Sequence, residues 1–73
     1  MTKKELHKEL RKLKKEFLYI NSFEEFIAVS LKGREITNEL YERGCSVTDL
    51  KVILNWEKTK EIVRDYFMKK LAA

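Results

Sequence analysis

Proline is absent from this chain, and glycine occurs only at Gly33 and Gly44. With Leu, Glu, Lys and Arg abundant, that composition predicts helices joined by short turns and an all-α fold. Cys45 is the one cysteine and His7 the one histidine. A single chain therefore assembles neither an intrachain disulfide nor a Cys/His zinc site, and no metal or cofactor is expected. A lone thiol suits a reducing, cytoplasmic setting. No apolar run is long enough to span a bilayer, and the start from Met1 to Lys8 alternates charge with leucine, unlike a signal peptide, so no membrane partner is expected. Two isolated glycines make no phosphate-cradling loop, and neither a Gly-x-Ser-x-Gly nor a His-Glu-x-x-His pattern occurs. Glu24 and Glu25 are adjacent, but neighbours on a helix point about 100° apart and do not converge. In 73 residues there is little room for a pocket, so neither an enzyme nor a small-molecule substrate is expected.

What is present is charge, unevenly placed. The net charge of +4 divides into +4 over residues 1–20, −3 over residues 21–50 and +3 over residues 51–73. Basic ends can meet an anionic partner, or pack around the acidic middle within one molecule or between two. A single domain over residues 1–73 of this size has a thin margin of stability, which makes a homodimer the first support to consider.

Thr2 with Glu5 reads as a capping box, followed by one apolar seam of Leu6, Leu10, Leu13, Phe17 and Ile20. Glu5/Lys8 and Glu9/Lys12 are spaced for weak pairing across a turn. Three readings of this first helix stay open: a core helix, a coiled-coil dimer seam and a membrane-surface helix. Ser22 with Glu25 makes a second box, opening a helix with Phe23, Phe26 and Ile27 as core anchors. Gly33 reads as its C-terminal cap, since Ile36 and Leu40 fall out of phase with Ile27 and Leu31. A third helix carries Ile36, Leu40 and Tyr41 inward, with Glu39 and Arg43 as an i,i+4 pair, and Gly44 closes it. Cys45 reads as a small semi-buried side chain at the junction. Ser46 caps a fourth helix with Asp49 in its first turn and Leu50, Ile53 and Leu54 inward. Thr59 then opens a fifth through Ile62, Val63, Tyr66, Phe67 and Leu71. The expected architecture is a bundle of four to five short helices, at about 3–20, 23–32, 34–43, 47–55 and 59–71. One continuous helix from Val47 to Leu71 is the alternative, because neither glycine nor proline marks the break.

The run Val47-Thr48-Asp49-Leu50-Lys51-Val52-Ile53-Leu54-Asn55, with Thr59-Lys60-Glu61-Ile62-Val63-Arg64-Asp65-Tyr66 after it, resembles the helix-turn-helix of bacterial and phage regulators. The resemblance implies a scaffold helix holding a recognition helix in the major groove of double-stranded DNA. Leu50 and Leu54 would be scaffold positions, Asn55 the turn, and Lys58, Thr59, Lys60 and Arg64 the residues facing DNA. Lys51 stands where the motif has a small residue, the connection is one residue longer, and Glu57, Glu61 and Asp65 lie among the contacts, where they repel phosphate. A looser similarity, in Ile36, Leu40, Gly44, Leu50 and Ile53, is to the helical repeats of RecX-type proteins, and implies a helical hairpin.

Two functions follow as expectations. One is a regulatory DNA-binding protein with Lys58, Thr59, Lys60 and Arg64 as its contacts and the basic first helix adding contacts to phosphate. The alternative is a protein-interaction module that docks Trp56 or the basic first helix, through Lys8, Arg11 and Lys15, on a larger acidic partner.

Overall fold

The computed structural model describes residues 1–72, in which three helices follow one another: α1 (Lys3–Glu16), α2 (Phe23–Glu42) and α3 (Val47–Ala72). Each helix contacts the other two. Lys3, at the start of α1, reaches the Gly44 carbonyl and Asp49 at the α2–α3 junction. α1 therefore runs antiparallel to α2 and in the same direction as α3. The bundle is a rod of 42 × 18 × 16 Å, its length set by the 26 residues of α3 at about 1.5 Å each.

The ends of the first helix show how local sequence sets the boundaries. Thr2 Oγ1 accepts from the Glu5 N–H at 3.1 Å and Glu5 Oε1 accepts from the Thr2 N–H at 3.0 Å, so both arms of the box form. The helix stops at Glu16, short of the expected Ile20. The Leu18 and Tyr19 N–H groups donate to the carbonyls of Lys15 and Glu16, three residues back, which tightens the chain into turns. At α2 the Ser22 hydroxyl caps the Glu25 N–H, while the Glu25 carboxylate accepts from Asn21 rather than from Ser22.

The core consists of Leu6, Leu10, Leu13 and Phe17 from the α1 segment, Phe26, Val29 and Leu40 from α2, and Ile53, Trp56 and Phe67 from α3. Phe17 joins the three helices, stacking on Trp56 at 5.0 Å between ring centres and leaning on Phe26 at 5.6 Å. Leu10 and Leu40 are almost fully enclosed, each burial contributing about 1.5–3 kcal/mol.

The all-helical class stands, but the count of four to five helices is corrected to three. Gly33 does not cap a helix. It lies inside α2, where Trp56 packs directly on its backbone, and Thr37 Oγ1 donates to its carbonyl at 2.9 Å. Likewise residues 55–58 are helical, with the Thr59 hydroxyl donating back to the Asn55 carbonyl at 3.0 Å instead of capping a new helix. The inward faces differ accordingly. Ile27, Tyr41, Leu50, Leu54, Ile62 and Tyr66, expected in the core, are exposed. Phe23 and Val63 are half-buried, and Asp49, Ile53, Trp56 and Phe67 form the buried line of α3.

Candidate nucleic-acid interface

The orientation of α1 is fixed by a buried carboxylate. Asp49, 1% exposed, accepts from Lys3 Nζ at 2.6 Å, from His7 Nε2 at 2.6 Å and from the Ser46 N–H at 2.9 Å. Ser46 Oγ in return caps the Asp49 N–H at 3.2 Å. Lys3 and His7 stand one turn apart on the flank of α1 that faces α3. The Lys3 ammonium first, then the Ser46 N–H, hold the Asp49 carboxyl well below the usual carboxylate range against the opposing effect of burial. Arg43 adds a further tie to the Met1 carbonyl. His7 is thus a half-buried structural side chain. The sequence held a signal for this anchor, because Asp49 lies four residues before Ile53 and seven before Trp56, on the same buried line.

With its leucines inward and this flank pinned, α1 turns a defined face to solvent. At about 100° per residue, Lys4, Lys8, Arg11, Lys12 and Lys15 lie within roughly 60° of the direction opposite Leu6. All five are exposed. Glu5, Glu9 and Glu16 collect on the flank towards α2, and Lys14 on the flank towards α3. The pairs Glu5/Lys8 and Glu9/Lys12 do not close. Among the described residues none of these cations joins an ion pair, the pairs being Lys3 and His7 with Asp49, Arg43 with Glu39, Lys60 with Glu57 and Arg64 with Asp65. The helix α3 adds to the same side. Ile62 and Tyr66, which with Leu18 and Ile20 line an apolar recess, mark its edge towards α1. Lys51 and Lys58 lie within about 40° of Ile62 and are exposed.

Of the residues expected to face DNA, Lys58 alone is exposed without an ionic partner. Thr59 is half-buried and bonded to its own helix. Lys60 is half-buried and pairs with Glu57 at 2.9 Å, and Arg64 lies 3.8 Å from Asp65. Lys60 and Arg64 point roughly 120–160° away from Lys58 around α3, so the four do not form one surface. The segments of the helix-turn-helix resemblance are halves of one helix, without a turn between them. Trp56, considered as an exposed anchor, is 1% exposed and fills the centre of the bundle. Lys8, Arg11 and Lys15 do share one exposed face, which Lys4 and Lys12 extend along α1.

No helix is long and apolar enough to cross a membrane, and no group of three or more His, Cys, Asp or Glu side chains is placed to hold a metal ion, among the described residues. Comparison with protein-family models, curated proteins and solved structures finds no match to this chain.

Proposed function

We propose that the protein binds double-stranded DNA without catalysis, gripping phosphates with the outer face of α1 through Lys4, Lys8, Arg11 and Lys15, with Lys51 and Lys58 of α3 alongside. The observation that carries this reading is the lack of any ion pair for those cations among the described residues, on a helix whose rotation is fixed by Asp49. Cations already paired would gain little from phosphate, whereas these release counterions from it at no internal cost. From Lys4 to Lys15 the stripe is about 16 Å long, a length that spans on the order of ten phosphate charges of a duplex. The reading rests on charge against phosphate alone, so binding is expected to be largely independent of sequence. A gel-shift titration with random duplex DNA at several salt concentrations tests it. Affinity should fall with a log–log slope of roughly −4 to −5 for four to six phosphate contacts. No retardation at low salt sinks the reading.

A further inference from the structure

On the side of the molecule away from α1, the three-helix core leaves large apolar side chains uncovered. Ile27 and Leu31 of α2 are 44% and 56% exposed, and Leu50 and Leu54 of α3 are 41% and 59% exposed. Their placement follows from the packing. Phe23 reaches Phe67, which marks the side of α2 nearest α3, and Ile27 and Leu31 continue around that side. On α3, Ile62 and Tyr66 mark the side nearest α1, and Leu50 and Leu54 lie on the other. Gly33 against Trp56 and Phe23 against Phe67 set the antiparallel register. That register brings Tyr41, 52% exposed, to the level of Leu50, and Leu31 within about one turn of Leu54. The five side chains line a groove about four turns long between α2 and α3.

The rims of this groove are acidic. Glu24, Glu35 and Glu42 stand along the outer edge of α2 and Glu61 along that of α3, none in an ion pair among the described residues. Arg34 of α2 and Lys58, one turn along α3 from Leu54, are cations at the groove without an ion pair among the described residues, against those four carboxylates. We infer that the α2–α3 groove docks an amphipathic helix of a partner protein whose apolar seam is flanked by lysine or arginine. The seam fills the positions between Ile27, Leu31, Leu50 and Leu54, and the flanking cations meet the carboxylates of both rims. Charge favours this occupant over a second copy, because the unpaired carboxylates around the groove outnumber the unpaired cations. A two-fold pairing of the same face sets each acidic rim against another, and the basic helix of this chain has its own apolar seam buried in the core. The groove lies away from the basic face of α1 and borders it on α3, where Lys58 follows Leu54 by one turn; the inference does not rest on DNA binding.

The probes are three labelled peptides of about 20 residues: a Leu/Lys amphipathic helix, its Leu/Glu counterpart, and a scramble of the first with no apolar seam. Fluorescence anisotropy with the full chain should show saturable 1:1 binding of the Leu/Lys helix, with the other two at least about tenfold weaker. Leu31→Asp with Leu54→Asp, both at exposed positions, should weaken that binding about tenfold or more while the helical circular dichroism is unchanged. Glu35→Lys with Glu61→Lys should weaken the Leu/Lys helix and strengthen the Leu/Glu one. Equal binding of the three peptides overturns the inference, as does indifference to both double variants. A concentration-dependent dimer in sedimentation that the Leu31→Asp/Leu54→Asp variant loses also overturns it, assigning the groove to a second copy.

Discussion

Trp56 lies against the backbone of Gly33, so close that a Cβ built on the glycine would fall inside the indole ring, against Cζ2, Cε2 and Cη2. The glycine sits in mid-helix, where alanine is ordinarily better by about 1 kcal/mol. Here the sign reverses. The indole is buried and wedged between Gly33 and the Phe17 ring, so it moves only by repacking the centre of the bundle. Gly33→Ala should lose roughly 1–3 kcal/mol net in urea denaturation, the range of overpacked cores, with a red shift of the tryptophan emission. A gain in stability would show that the indole has room to move.

Asp49 ties the stability of the fold to pH. Its carboxyl is held below the ordinary value of 3.8, so the folded state binds its proton more weakly than the unfolded chain does. The resulting stabilisation is complete above the unfolded value and is lost as pH falls through and below about 4. Glu5 acts in the same direction, lowered chiefly by the Thr2 N–H. The urea midpoint should be level with respect to these two groups above about pH 5 and decline below pH 4. In Asp49→Asn the midpoint should be lower at neutral pH and the acid decline shallower. An unchanged acid limb in that variant would remove Asp49 as its source.

The class of the fold was legible in composition and caps, because Thr2, Ser22 and Gly44 act through neighbours in sequence. The helix count was not. The buried line of α2 runs Phe26, Val29, Gly33, Thr37, Leu40, a regular spacing in which two members are not large and apolar. Counting only large apolar residues drops Gly33 and Thr37, promotes Ile27 and Leu31 to the core, and creates a false change of phase. The same substitution of exposed for buried happened in α3, where Asp49 occupies an inward position and Leu50, Leu54 and Ile62 do not. A glycine that meets a tryptophan and an aspartate that meets Lys3 and His7 depend on partners at least 23 residues away in the chain, which periodicity within one segment does not register. The basic face of α1 was visible as a pattern. Its lack of internal partners was not, since that depends on where the carboxylates of α2 and α3 end up.

Gly44 is the counterpart of Gly33, required for its backbone and not for space. It follows α2 with φ at 87°, and a Cβ there would meet nothing within 4 Å. The left-handed conformation disfavours a side chain by about 1–2 kcal/mol, so Gly44→Ala should lose about that much in urea denaturation. Gly44→Asn should lose less, since asparagine tolerates this region better. Equal losses for the two would indicate that contact, such as that of Lys3 Nζ with the Gly44 carbonyl at 2.7 Å, and not backbone conformation, sets the cost.

The two basic surfaces of the chain make opposite predictions for DNA. Lys8, Arg11 and Lys15 stand on one exposed face without carboxylate partners among the described residues, whereas Lys60 is paired with Glu57 and Arg64 lies beside Asp65 on another side of α3. A cation that must first leave a carboxylate gains less from phosphate, and the carboxylate left behind repels it. The Lys8→Ala, Arg11→Ala, Lys15→Ala triple variant should therefore lose at least about tenfold in duplex affinity at low salt. Its salt slope should fall by roughly 2 to 3, close to 0.9 for each phosphate contact removed. Lys60→Ala with Arg64→Ala should stay within about twofold of the parent, with the slope unchanged. Alanine favours helix, so both variants should keep the parent circular dichroism and the comparison reports contacts rather than folding. If the α3 pair carries the loss and the α1 triple does not, the DNA surface is the far side of α3 and the basic face of α1 is only solvated.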